Sequence, residues 1–212
     1  MLAVSSDQLC CQSRGERQWM GVRATVGATS GAKVCFEATV DDEGLCRVGW
    51  STAAAKYDVG TDSQSWGFGG TGMKSHKKKF EKYGHAFGKG DVIGCYLDMC
   101  EGRVFFTLNG ESCGGDAYSN ISTSTVMFPS CVLKNAQMKF NFNNKMKYSL
   151  PISMGVGFIP IGQAKASMLR AGGSTSGTSR STSGSRRSSS SSGGACRAII
   201  IAPTRDLAAQ IH

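Results

Sequence analysis

From residue 8 to about residue 150 the dominant spacing of apolar side chains is two. Met20, Val22, Ala24 and Val26 alternate with Gly21, Arg23 and Thr25, and Val34, Phe36, Ala38 and Val40 alternate with Cys35, Glu37 and Thr39. The same rhythm returns in Val104, Phe106 and Leu108, and in Ala136, Met138, Phe140 and Phe142. Successive strand residues point to opposite faces, so this spacing predicts strands with one face on a core and the other toward water or a second layer. Turn chemistry separates the runs: Gly27, Gly31, Asp41-Asp42-Glu43-Gly44, Gly90-Asp91 and Asn109-Gly110. Asn-Gly after Val104–Leu108 predicts a type I′ hairpin, which needs positive φ at both central residues. No window in this region carries a helical stripe. The expected architecture is all-β, a sandwich of two antiparallel sheets.

Beyond residue 150 the pattern changes. Residues 172–194 are 11 Ser, 6 Gly, 3 Thr and 3 Arg, with no apolar surface to offset ordering entropy, and are expected to form a flexible linker. Ala198-Ile199-Ile200-Ile201-Ala202 reads as a parallel strand buried on both faces. Pro203 stops it, Thr204 is placed to cap, and Asp206–Ile211 opens a helix. The expected division is a β domain over 1–166, a linker over 167–194 and a truncated strand-helix piece over 195–212.

Glycine at 28 residues and proline at 4 suit a turn-rich β chain. The net charge of +9 divides as +3 over residues 1–150 and +6 over 151–212. No apolar stretch approaches the ~20 residues that span a bilayer, and the N-terminus lacks a secretory pattern, so neither a membrane partner nor secretion is expected. The nine cysteines lack a C-x-x-C pair and fall mostly in apolar runs. They read as structural thiols in a reducing compartment, cytoplasm and nucleus, without a metal.

Gly67-Phe68-Gly69-Gly70-Thr71-Gly72-Met73-Lys74-Ser75 mimics a phosphate-binding loop, but Met73 separates Gly72 from Lys74 and no helical face follows. A Gly-rich strand and bend is expected there. The basic cluster Lys74, His76, Lys77, Lys78, Lys79 and Lys82, with Glu81 the only acid, sums to +4 at neutral His. It supports either a field for RNA phosphates or an acidic protein segment, or a solvated charged loop. Asp91 and Asp98 flank one run without an acid–base partner and there is no G-x-S-x-G elbow, so no catalytic residue is assigned.

Leu45-Cys46-Arg47-Val48-Gly49-Trp50-Ser51-Thr52, Ser65–Gly72, Gly90–Asp98, Phe106–Gly110 and Phe128–Ala136 together resemble a SPRY (B30.2-like) domain. Cys11-Gln12-Ser13-Arg14 and Gly70–His76 resemble one subfamily: DEAD-box RNA helicases with a SPRY domain inserted in the first RecA-like domain. The resemblance covers about residues 8–166. Pro203-Thr204-Arg205-Asp206-Leu207-Ala208-Ala209-Gln210 resembles helicase motif Ia, P-T-R-E-L-A-x-Q, with Asp206 in place of Glu.

What the resemblance implies is a protein-interaction module within an ATP-dependent RNA helicase, expected to be monomeric. Pro203, Thr204 and Arg205 would then contact RNA phosphates, and ATP and Mg²⁺ would serve the complete helicase. The alternative is a free-standing SPRY adaptor that recognises a peptide. The family's P-loop, Q motif and D-E-A-D box do not occur in these 212 residues. The chain alone is therefore expected to release no phosphate from ATP above background when single-stranded RNA is added, as a malachite-green assay would show.

Overall fold

In a computed structural model, which describes residues 1–142, 145–172 and 201–203, the alternating runs pair into two main sheets. In chain order the first strands are β1 (Leu2–Val4), β2 (Cys10–Ser13), β3 (Met20–Ala24), β4 (Val26–Ala28), β5 (Lys33–Val40) and β6 (Leu45–Ser51). Next come β7 (Ser65–Gly69), β8 (Met73–His76), β9 (Lys79–Lys82), β10 (Val92–Asp98), β11 (Arg103–Leu108) and β12 (Glu111–Tyr118). The last are β13 (Phe128–Lys134), β14 (Ala136–Asn141), β15 (Ile159–Pro160), β16 (Leu169–Ala171) and β17 (Ile201–Pro203). One sheet runs β1-β2-β14-β5-β10-β11-β12, with β15 added to β5, and the other runs β17-β3-β13-β6-β7-β8-β9. This is the expected antiparallel sandwich.

Side-chain alternation sets the layers. Val34, Phe36, Ala38 and Val40 of β5 are all buried. Phe36 meets Trp50 of β6 edge-on across the two sheets, with ring centroids 5.1 Å apart at 72°. Phe142 adds a tilted contact to Phe36 at 5.5 Å. Aromatic contacts of this geometry add about 0.5–1.5 kcal/mol to simple area burial.

The opposite face of β5 is covered as well. Cys35, Tyr96 and Phe105 form a second apolar cluster under Met146, Leu150, Met154 and Phe158. Tyr96 and Phe105 stack at 4.9 Å, and Phe158 stands edge-on to both. Buried Glu37 accepts hydrogen bonds from the backbone N–H groups of Lys147, at 2.8 Å, and Tyr148, at 3.0 Å. The segment after β14 is thereby strapped onto the sheet. Burial raises the thiol of Cys35 to about 12 and that of Cys46 likewise, so both are protonated packing groups.

Leu2–Val4, ahead of the alternating region but inside the expected β domain, pairs with Cys11–Ser13 because β2 has an open edge. Two placements differ from the sequence reading. Leu169–Ala171, inside the span expected to be linker, pairs with Val26–Ala28, and Leu169 is buried there. Ile201 and Ala202, expected in a parallel strand, instead pair antiparallel with Ala24 and Arg23 along the open edge of β3. Residues 173–200 and 204–212 lie outside the described residues.

Asp98 ends β10 and organises the turn to β11. Its side chain has no exposed area. It accepts from the N–H groups of Cys100, at 2.9 Å, and Glu101, at 3.1 Å, and pairs with Lys33 at 3.1 Å. Burial opposes ionisation, but the Glu101 N–H, the Lys33 ammonium and the Cys100 N–H outweigh it and hold the carboxyl below its ordinary range. A depressed folded pKa gives stability that is complete above the unfolded value and lost as pH falls through the folded one. Asp98→Asn is expected to lower stability by about 1.5–3 kcal/mol at pH 7. The difference from the unaltered chain should shrink steadily below about pH 4 in urea melts.

Candidate functional site

The glycine-rich stretch that mimics a phosphate loop is an antiparallel hairpin, as expected. Gly67 and Phe68 of β7 pair with Ser75 and Lys74 of β8. Several of its backbone groups are used within the fold: the N–H of Gly70 donates to Cys46 O and that of Gly72 to Gly69 O. The carbonyl of Gly72 accepts from Tyr83 and Gly84, and that of Gly70 from Phe87. The stretch joins two strands and opens no helix, so it lacks the strand-to-helix geometry of a nucleotide phosphate loop.

The basic cluster forms the next hairpin. β8 and β9 pair from Met73↔Lys82 to His76↔Lys79, so Lys77 and Lys78 alone make the turn. Both have left-handed backbone, φ 53° and 62°. Asn109-Gly110, the hairpin expected from sequence, has the same double-positive conformation at 51° and 88°. A non-glycine residue in this region costs about 1–2 kcal/mol. The turn is held by its amides: Lys77 N–H donates to Asp62 O at 2.9 Å and Lys78 N–H to Gly60 O at 3.2 Å. The loop that supplies these carbonyls lies flat on the outer face of the second sheet, where a Cβ at Gly21 would overlap the carbonyl of Tyr57.

Strand alternation divides the cluster. Lys74, His76, Lys79 and Glu81 belong to one face of the hairpin, and Met73, Phe80 and Lys82 to the other. Lys74 is committed within the fold: its Nζ donates to Ala117 O at 3.0 Å, lies 3.6 Å from Glu81 and sits 5.6 Å from the Tyr118 ring centre. His76 donates from Nδ1 to Ser65 O at 2.8 Å and stacks on Trp66. Among the described residues Lys77, Lys78, Lys79 and Lys82 make no salt bridge, and all four are exposed. The available field therefore comes from four lysines on an edge hairpin rather than from the whole cluster.

Two cavities flank this hairpin, and neither was legible beforehand. On the outer face, buried Arg47 lies 4.6 Å from the Trp19 ring and 5.5 Å from the Phe80 ring, and pairs with Asp58. Burial pulls the Arg47 guanidinium below its ordinary value, and pushes the Asp58 carboxyl up despite the arginine. With Leu45 and Met73 these residues line a pocket of about 340 Å³. Between the sheets, Trp66, His76, Lys77 and Tyr118 line a second cavity of about 530 Å³. Arg47 and Trp66 stand in quoted strand runs, but their partners come from distant segments, so no local spacing announces either cavity. Pro203 ends β17 opposite Val22, whereas Thr204 and Arg205 lie outside the described residues.

Two antiparallel sheets packed face to face, with loops decorating their edges, define the fold as a β-sandwich. The SPRY domain model matches residues 33–145, more than half of the chain, and the chain belongs to the SPRY domain family. It is 44% identical over 213 residues to ATP-dependent RNA helicase Ddx1 of Drosophila melanogaster, covering 100% of this chain and 28% of that protein. It is 41% identical over 209 residues to ATP-dependent RNA helicase DDX1 of Xenopus laevis, covering 98% of this chain and 27% of that protein. Heterogeneous nuclear ribonucleoprotein U-like protein 2 of Homo sapiens is 36% identical over 147 residues, 63% of this chain and 20% of its own length. The chain spans less than a third of the helicases it matches.

The strained turn yields a direct test. Replacing Lys77-Lys78 by Asn-Gly, which adopt this backbone readily, is expected to raise stability by about 1–2 kcal/mol in chemical denaturation.

Proposed function

We propose that this chain is the SPRY interaction module of an ATP-dependent DEAD-box RNA helicase, and that its basic edge hairpin contacts RNA. The observation that carries this reading is the pinned Lys77-Lys78 turn, which with Lys79 and Lys82 presents four lysines without salt-bridge partners among the described residues. Strain held in place by surrounding structure is often found at functional positions. Fixed cations gain affinity for phosphate by releasing condensed counterions, without reading sequence. The helicase names of the matched relatives supply the RNA side of the reading.

In the complete protein, RNA remodelling would be driven by ATP with Mg²⁺. The Gly67–Ser75 stretch does not fit that role, because it joins two strands and its Gly70 and Gly72 amides are bonded within the fold. Pro203, Thr204 and Arg205 would add phosphate contacts in the manner of motif Ia, with Arg205 supplying a bidentate fork.

A protein-peptide contact is the second reading, and the outer-face pocket favours it. Phe80 is 51% exposed and Leu45 45% exposed beside the Arg47–Asp58 pair. Such a site combines an apolar anchor point with charges that fix orientation.

Lys77→Glu, Lys78→Glu and Lys79→Glu combined should weaken binding of a single-stranded oligoribonucleotide in fluorescence anisotropy. The slope of log affinity against log salt should fall in magnitude by about 2. Unchanged affinity and slope would reduce the hairpin to a solvated loop.

A further inference from the structure

We propose that the cavity between the two sheets, beside the basic hairpin, receives one base of single-stranded RNA. This rests on the RNA contact proposed above and extends it from phosphates to a base site.

The cavity's size, about 530 Å³, lies within the range of small-ligand sites and is ample for a planar base and its sugar. Its aromatic walls are fixed in advance. Trp66 and His76 stack with centroids 5.0 Å apart at 10°, and Tyr118 meets His76 edge-on at 6.1 Å and 61°. The His76 ring is oriented by its Nδ1–H bond to Ser65 O, and the Tyr118 hydroxyl donates to Gly67 O at 2.8 Å. Walls that are already ordered lose little freedom when a ligand arrives.

The polar lining suits the edge of a base. Gln64 Oε1 accepts from Thr52 Oγ1 at 2.9 Å, which orients the amide and leaves its NH₂ group as a donor pair. The Asn120 side chain lines the same space from a left-handed turn position, φ 58°.

Charge separates a base from an acidic peptide here. Among the described residues no Asp or Glu lines the cavity, and its one lysine, Lys77, begins the two-residue turn that passes through exposed Lys78 into Lys79 of β9. The lining of aromatic rings, amides and hydroxyls matches a neutral planar group, while the lysine row beyond Lys77 matches the phosphates attached to it. A peptide carboxylate would bring its negative charge into the aromatic interior instead. Base stacking on aromatic rings beside a basic track is a recurrent way of holding single strands.

The test uses the complete 212-residue chain and a labelled single-stranded oligoribonucleotide carrying 4-thiouridine. His76→Ala, which removes half of the stack, should weaken binding about tenfold without changing the salt slope. Gln64→Ala should weaken it less, and in the unaltered chain ultraviolet crosslinks should fall on Trp66, His76 or Tyr118. The crosslink map decides the matter if His76→Ala does not fold. Crosslinks confined to other surfaces, or RNA affinity untouched by both cavity variants while the triple lysine variant loses it, would overturn the base site and leave the hairpin contact standing. No RNA binding by the unaltered chain would overturn both. If an acidic peptide binds and loses affinity on His76→Ala while RNA does not, the cavity is a protein site and the proposal fails.

Discussion

Strand β5 is buried on both faces, and most of the molecule is arranged to make that possible. Its inner residues Val34, Phe36, Ala38 and Val40 demand a second sheet, which Trp50 supplies across the sandwich. Its outer residues Cys35 and Glu37 demand a third layer, which arrives as the strap carrying Met146, Leu150, Met154 and Phe158. A buried carboxylate is costly unless hydrogen-bonded, and the strap's own backbone N–H groups satisfy Glu37. The apolar cover and the polar clamp therefore belong to the same segment. That coupling explains how a stretch with little regular secondary structure of its own holds one position on the sheet.

The second sheet uses its edge differently. An exposed edge strand invites unwanted pairing, and charged lysines are a common protection. β9, with all four residues exposed, carries Lys79 and Lys82. Under the proposed RNA contact the same lysines that guard the edge would supply the field for phosphates, so protection against aggregation and recognition of an anion need not compete. The turn linking β8 to β9 is strained in its backbone and anchored to the carbonyls of Gly60 and Asp62. This anchoring fixes where the hairpin projects relative to the cavity between the sheets.

The buried charges show a consistent economy. Asp98 is ionised because backbone amides and Lys33 converge on it, whereas buried Arg47 packs against two aromatic rings and pairs with the half-exposed Asp58. The described thiols whose pKa values are moved are all moved upward, chiefly by burial, and act as small apolar groups. These arrangements hold a shape and present a surface.

The alternation of apolar residues was sufficient to announce the strands of β5, β11 and β14, and Asn109-Gly110 announced its hairpin, because period two and turn chemistry are local properties. The family was legible as well, since its motifs lie within single strands and their adjoining turns. Local pattern was silent on Lys77-Lys78, where two residues with no turn preference are forced into left-handed backbone by carbonyls some 15 residues upstream, those of Gly60 and Asp62. It was equally silent on which lysines of the basic run remain available, because Lys74 is claimed by Ala117 and Glu81 through the tertiary fold. Period-two alternation and turn residues thus encode the layers and the class locally. The cavities arise in the folded chain alone, because Arg47 with Trp19 and Phe80, and Trp66 with His76 and Tyr118, meet through pairings between strands whose order in the sheet no local spacing encodes.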